Sequence, residues 1–254
     1  MIRGLYTSAW SMKAIQKKMD VVSNNIANIN SNAFKKDVAL FRSFPEYLTL
    51  SMEKSKGSQG IGTIQPGHDV DEVFIDFTEG RLEVTGKKYD LAIKGAPVSF
   101  FTVGNVNADG RIDIYYTRDG SFQISPNGEL ITKEGYLVMG EDGAIVLESG
   151  DFTVNEDGTV IQKGDIAGRL LIQNCTNPET LRKYGYSYLL ATDETVFEEF
   201  SGSVVQGAIE LSNVNPIREM VDMINVMRQY EANQRMILTQ DRTLEKAVND
   251  IGAV

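Results

Sequence analysis

The sequence predicts a mixed, discontinuous fold: α-helices at the N- and C-termini forming a coiled-coil pair, with an all-β domain between them. Three observations carry that expectation. Near the N-terminus Leu5, Met12, Met19 and Ile26 recur every seven residues, and Ile15, Val22 and Ile29 form a second series offset by three. Near the C-terminus Met223, Tyr230, Ile237, Leu244 and Ile251 recur at the same interval, with Met220, Met227 and Val248 beside them. The middle of the chain has no such repeat and is dense in turn dipeptides instead. A seven-residue repeat gathers apolar atoms into one narrow stripe that needs a partner helix to cover it. Matching stripes at the two ends place the termini against each other or against neighbouring copies, which points to assembly and not to catalysis.

The first helix is expected over residues 4–29, a rod of about 39 Å at about 1.5 Å per residue. It runs into a polar segment in which Asn24, Asn25, Asn28, Asn30 and Asn32 crowd together. Asparagine tolerates left-handed backbone and favours caps and turns, so the helix either frays there or uses helix-spaced amides to fix its pairing register. From residue 43 to about 70, Gly57, Gly60, Gly62, Pro66 and Gly67 punctuate a polar stretch that reads as a linker or long extended loop. Residues 71–205 read as β. Asp109-Gly110, Asp119-Gly120, Asn127-Gly128, Asp142-Gly143 and Asp157-Gly158 are hairpin-turn dipeptides, and short strand-like runs such as Ile112-Asp113-Ile114-Tyr115-Tyr116 lie between them. Asn215-Pro216 then opens the last helix, with a strong N-cap, a proline suited to the first position and Glu219 in the positive first turn. That helix is expected to run nearly to the end, about 35 residues, a length usual in coiled coils. The expected organisation is therefore 1–32 and 214–254 as terminal helices, 33–70 and 206–213 as connecting segments, and 71–205 as the central β domain.

Composition narrows the function. At 254 residues the chain holds one large domain or two modest ones, and its formal charge of −10 argues against a nucleic-acid partner, which needs clustered Lys and Arg. Lys13, Lys17 and Lys18 read as a solvated helix face, and Lys35 and Lys36 as part of a solvated loop. Cys175 is the single cysteine, so no intrachain disulfide or cysteine zinc site is expected, and it reads as a small buried hydrophobe. The N-terminus has no uninterrupted apolar core of the signal-peptide kind, and no stretch approaches the roughly 20 apolar residues that span a bilayer. No membrane insertion is expected.

No motif proposes an enzyme. His68, the only histidine, sits beside Asp69 and Asp71 in the loose segment and reads as surface loop. With one His and one Cys the usual triads and dyads are hard to build. Asn105, Asn107, Asp109, Gly110 and Asp113 imitate a calcium loop, but Tyr116 stands where the bidentate acid belongs, so a β-hairpin tip is expected. The expected catalytic, cofactor and metal sets are empty. The methionines of the seam, Met12, Met19, Met220, Met223 and Met227, are expected to bury between helices or between subunits.

Taken together these residues resemble the flagellar rod and hook family of bacteria. The run Asp20-Val21-Val22-Ser23-Asn24-Asn25-Ile26-Ala27-Asn28-Ile29-Asn30, followed by Phe34-Lys35-Lys36, is similar to that family's N-terminal signature. Tyr116-Thr117-Arg118-Asp119-Gly120-Ser121-Phe122 and Asn127-Gly128-Glu129-Leu130 resemble its central domain. Ser212-Asn213-Val214-Asn215, then Arg228-Gln229-Tyr230-Glu231-Ala232-Asn233, resemble its C-terminal signature. Signature positions expected to matter are Asn24, Asn25, Asn28, Phe34, Asn213 and Asn215. Two departures stand out. Ala33 occupies a place where the family usually has glycine for a left-handed turn, and Trp10 fills a place usually small.

The resemblance implies a structural subunit of the rod, most like its distal member, whose terminal helices pair into an inner coiled-coil tube with the β domain outside. Subunits stack head-to-tail on a helical lattice, the outcome of heterologous contacts that do not close. The implied partners are further copies of the chain, other axial rod and hook proteins, and the flagellar type III export gate, which members pass uncleaved. The implied location is the flagellar basal body. Phe44 and Leu48 fit the gate-recognition spacing of Phe with an apolar residue four places on, as do Phe34 and Val38. Alternatives are a proximal rod or hook subunit of the same family or, from another class, a carbohydrate-binding or carbohydrate-acting β-domain protein dimerised by its helices.

Overall fold

The computed structural model describes residues 2–43, 47–53, 57–64, 68–106, 110–148 and 151–251. The chain opens on a 26-residue helix, α1 (Ile2–Ala27), and closes on a 31-residue helix, α2 (Pro216–Lys246), followed by a short π-helical turn, Ala247–Ile251. Between them the regular elements are strands, apart from one 3-10 turn at Pro178–Thr180. The helix–β–helix order is the one the sequence predicts, and each helix end has a local cause. α1 stops at the asparagine cluster, and α2 starts on the proline that follows Asn215, with Glu219 in its first turn. Among the described residues no helix is long and apolar enough to cross a membrane.

The chain divides into two compact units: residues 1–26, 37–74 and 216–254 in one, and residues 27–36 and 75–215 in the other. The first contains both helices and four strands. Asp37–Ser43 pairs with His68–Ile75, and Tyr47–Glu53 runs antiparallel to Gly57–Ile64 from Tyr47↔Ile64 to Glu53↔Gly57, with an irregularity after Thr49. The stretch expected as a linker is thus extended but paired. Gly57, Gly60 and Gly62 lie inside a strand instead of punctuating a loop. Glycine weakens a strand without forbidding one, and the partner run Tyr47-Leu48-Thr49-Leu50 supplies the β-forming residues. His68 and Asp69 therefore lie on a strand. Their side chains, like those of Asp71 and Leu48, fall outside the described residues, as does Phe44.

The second unit is built on a sheet whose strands follow one another in the order Arg182–Tyr184, Tyr188–Leu190, Ile112–Thr117, Ser99–Val106, Leu137–Gly140, Leu130–Ile131 and Gln123–Ile124, every pair antiparallel. Ser99–Val106 is central: its lower half also pairs with Ile172–Cys175, which in turn pairs with Phe197–Glu199. Successive side chains of a strand point to opposite faces, so a continuous apolar run demands cover on both sides. Phe101 and Val103 join Leu91, Ile93, Leu130, Val138 and Val160 in the larger core, whereas Phe100 turns to a second cluster with Tyr116, Cys175, Leu181 and Leu189. Edge-to-face rings lock each side, Phe101 against Phe122 at 5.3 Å and Phe100 against Phe77 at 5.6 Å. Cys175 is fully buried there, as expected, and burial pushes its thiol above the usual range.

The turn dipeptides behave differently from one another. Asn127-Gly128 and Asp157-Gly158 close five-residue turns of one design: Gly128 N donates to Ser125 O and Ser125 N to Glu129 O, and Gly158 N donates to Asn155 O and Asn155 N to Thr159 O. Thr132–Tyr136 repeats the design around Gly135. Asp142-Gly143 ends a tight hairpin with Gly140 opposite Gly143. Asp109 lies outside the described residues, but Val106 opposite Ile112 gives the expected hairpin. Asp119-Gly120 is not a hairpin turn. Asp119 Oδ1 accepts from Ser121 N, and Gly120 presses against the neighbouring backbone, its carbonyl taking the Leu91 N–H at 2.9 Å. Conversely, Lys163-Gly164 makes an unanticipated two-residue turn with φ of 55° and 93°, between Gln162 and Asp165.

Candidate assembly site

Within the first unit α1 and α2 meet at two points. Asn25 Nδ2 donates to Glu219 Oε2 at 3.3 Å, and Gly4 lies so near Gln240 that an added Cβ would come within 2.4 Å of its Nε2. The helices therefore run antiparallel, and each advances by the same three heptads between the two points. Around these contacts the less exposed positions of α2 step by fours and threes: Glu219, Met223, Val226, Tyr230, Asn233, Ile237, Gln240 and Leu244. On α1 the matching steps are Gly4, Ser8, Ser11, Ile15, Lys18, Val22 and Asn25. This is heptad spacing, with small residues where the N-terminal part of α1 is approached most closely.

Of the seam positions expected from sequence, Val22 is buried and Leu5, Met12, Ile15, Met19, Ile26, Met223, Tyr230, Ile237 and Leu244 are half-buried; Ile29, also half-buried, follows α1 in the second unit. Met220 and Met227 stand on the outer flank, and the Ile251 side chain lies outside the described residues. That flank is itself apolar. Ile217, Met220, Val221, Ile224 and Met227 share one side of the first turns of α2, and Ile217 is 74% exposed. A contiguous exposed apolar face of this kind marks a contact surface.

The asparagines act as backbone surrogates. Asn25, buried, accepts from Asp37 N at 2.9 Å through Oδ1 and donates to Asp37 O at 2.9 Å through Nδ2, so its amide pairs with the first strand residue as a neighbouring strand would. Asn213 does the same in the second unit: Oδ1 accepts from Lys36 N at 2.8 Å, and Nδ2 donates to Asp76 O at 2.8 Å and to Thr78. Asn28 is buried and holds Ser31 in the turn that follows α1; Asn24 and Asn215 are exposed, each with a polar partner.

Phe34 is buried under the Lys183 ammonium, 4.3 Å from its ring centre. Ala33, just before it, has φ of 54°, so the left-handed turn for which the family usually has glycine, and which alanine put in question, is made here by the alanine. Ala33→Gly is expected to hold or raise thermal stability, because relief of about 1–2 kcal/mol of left-handed strain offsets a buried methyl worth about 0.8 kcal/mol. Ala33→Val is expected to lower it, since a β-branched residue crowds that conformation further. Paired thermal melts decide the point, and a valine variant as stable as the glycine one would refute the strain.

Beside this turn lies a buried ionic knot that no sequence pattern announces. Lys35, expected in a solvated loop, is 6% exposed, and its Nζ contacts Glu210 Oε1 at 2.6 Å and Thr78 O at 2.8 Å. Glu210, 1% exposed, also receives Arg118 Nε at 2.7 Å and Gly80 N at 2.8 Å. Arg118 directs its remaining donors to the carbonyls of Ala96, Ser99 and Ile93 and to Glu79. Burial raises the Glu210 carboxyl, but two cations overcome it and hold it below its ordinary 4.5. For Lys35 burial is the largest influence and Arg118 adds to it, so together they outweigh Glu210 and the weaker pull of Glu79 and hold its ammonium below 10.5. The knot ties the segment after α1, the Tyr116-Thr117-Arg118-Asp119-Gly120 segment and the strand Ala208–Glu210 into one unit. The signatures contain Lys35 and Arg118, but nothing in them pairs either with Glu210. Among the described residues no group of acids, histidine and cysteine could hold a metal ion.

Comparison with known proteins follows the same three segments. The model described as flagella basal body rod protein matches residues 5–35, that of the flagellar hook protein FlgE/F/G D1 domain matches residues 92–162, and that of the flagellar basal body rod FlgEFG protein C-terminal matches residues 205–250. The chain is 31% identical to the flagellar hook-basal body complex protein FlhO of Bacillus subtilis, with 100% of each chain covered. It is 34% identical to the flagellar basal-body rod protein FlgG of Buchnera aphidicola subsp. Schizaphis graminum, covering 97% of this chain and 98% of that one. With the flagellar basal-body rod protein FlgF of Caulobacter vibrioides it shares 30% identity, again over 100% of each.

Proposed function

The chain belongs to the flagellar basal-body rod family, structural proteins of the flagellum and not enzymes, and on that premise we propose that it is a subunit of the rod itself, most like the distal rod. Copies assemble through their terminal helices into a helical tube that transmits torque from motor to hook, and each copy reaches the tube through the flagellar type III export gate. Other axial rod and hook proteins are its neighbours at the ends of the tube. The observation that supports this most is the apolar flank of α2, Ile217, Met220, Val221, Ile224 and Met227, which remains open while the opposite seam of the same helix meets α1. A helix with one covered stripe and one open stripe is suited to packing in a continuous wall. The domain division in this reading is terminal helices inside and β domain outside, with the segments 33–70 and 206–213 connecting them.

Electron microscopy of the purified full chain tests the helix route. Filaments that appear with rising concentration are expected from the native protein and none from an Ile224→Glu, Met227→Glu variant, whose β unit should melt unchanged. A variant that still polymerises would remove α2 from the assembly surface. Immunolabelling of purified basal bodies separates a distal from a proximal position.

A further inference from the structure

The β unit carries two clefts of opposite charge that share no lining residue. The first, about 660 Å³, has Lys87, Lys88 and Lys133 around an apolar floor of Phe122, Ile124 and Ile209. Its one acid, Asp90, is buried and accepts from Thr85 Oγ1 at 2.6 Å; its charge offsets part of the rim, which three lysines keep positive. Lys88 also reaches Asp151, an exposed pair of small worth. The second cleft, about 360 Å³, is lined by Glu141, Asp157, Glu198 and Glu199 between Phe197 and Phe200. Arg169 is its one cation and is occupied by Glu141 at 3.1 Å and by the Asp157 carbonyl. Gln173, also in that lining, has a buried side-chain oxygen with no hydrogen-bond partner among the described residues, an acceptor suited to an ammonium donor. Lys87, Lys133, Glu198 and Glu199 are exposed and make no ion pair among the described residues.

We propose that the lysine cleft of one copy receives the Glu198-Glu199 strand of the next, so that the β units join head-to-tail through complementary charge. The proposal rests on the assembly reading and adds a second contact to the helix wall. Three physical points favour a second copy as the occupant. The whole chain carries a net charge of −10, so copies repel one another except where a local basic patch faces a local acidic one. Glu198 and Glu199 are consecutive on the strand Phe197–Glu199, which pairs with Ile172–Cys175 on one side, so the strand is a fixed support whose two carboxylates leave it on opposite faces and flank whatever it enters. Each cleft also combines charge with aromatic or aliphatic surface, so docking buries apolar area as well as pairing ions. Two different patches on one molecule form a heterologous contact, which repeats without closing unless the rotation returns on itself.

Charge reversal on the full chain tests this, with assembly read by sedimentation and electron microscopy. Lys87→Glu with Lys133→Glu is expected to block assembly, and so is Glu198→Lys with Glu199→Lys, because each turns the contact into like against like. The chain carrying all four changes is expected to assemble again, since the unpaired charges at positions 87 and 133 and at 198 and 199 have exchanged sign, and the two double variants are expected to co-assemble when mixed. The native contact should also weaken as salt is raised from about 0.05 to about 0.5 M. Native filaments formed equally well by both double variants would overturn the cleft contact alone. No association of the native chain at any concentration or salt would overturn the assembly reading and this contact with it. Failure of the fourfold variant to recover, with its melting temperature unchanged, would also overturn it.

Discussion

Glu210→Gln is expected to destabilise the β unit by about 3–5 kcal/mol, the range for removing one partner from a buried ion pair. The reason is what the substitution leaves behind. Lys35 and Arg118, 6% and 3% exposed, would lose the buried carboxylate placed between them and keep only the more distant, half-exposed Glu79, and the new amide would turn an N–H donor toward a cationic donor. The melting temperature of that unit should fall on the order of 10 °C. Urea and thermal unfolding measure it, and a loss under about 1 kcal/mol would mean the knot behaves like an exposed pair. The same residue sets an acid dependence. Its folded carboxyl titrates below the ordinary 4.5, so its stabilisation is complete above that value and disappears as pH falls through the lower folded value. The glutamine variant lacks that step, and the gap between the two proteins should narrow on acidification below about pH 4.5. A gap that stays constant down to about pH 2 would place the stabilisation elsewhere.

Gly120→Ala is the second large effect. A Cβ at Gly120 would stand 1.7 Å from the Leu91 carbonyl oxygen, 2.7 Å from its carbonyl carbon and 3.3 Å from the Phe101 ring. Two of those three atoms are backbone and cannot rotate away. Moving them would break the hydrogen bond from Leu91 N to Gly120 O and shift Leu91 and Phe101, both fully buried. A loss of about 3 kcal/mol or more is expected, at the upper end for overpacking. Gly110→Ala is the control: an added Cβ there meets nothing, and only its positive φ is strained. Gly120 itself has no positive φ, so a Gly120→Ala variant no less stable than Gly110→Ala would refute the close approach as the reason for glycine at 120.

The length and type of α1 and α2 were legible because helical periodicity is local, and a stripe repeated over three heptads fits a helix and no strand. The hairpins at Asn127-Gly128 and Asp157-Gly158 were legible for a similar reason, since left-handed backbone selects its residues. Lys163-Gly164 shows the limit: the turn needs two positive φ values, and lysine carries no mark of having adopted one. The glycine-rich stretch after residue 56 was misleading because its glycines weaken a strand that its partner nevertheless holds.

The function-bearing surfaces divide along the same line. The helix–β–helix order, the seven-residue seams and the family signatures are written in the order of the residues, because each is a property of neighbours along the chain. Folding in three dimensions is what buries Lys35 instead of leaving it solvated, makes Glu210 its counter-ion 175 residues away, and leaves Met220 and Met227 on an open flank and not in the covered seam. A charge is tolerated in the interior only when a partner of opposite sign is placed beside it. That placement depends on how distant segments pack, which no local pattern records.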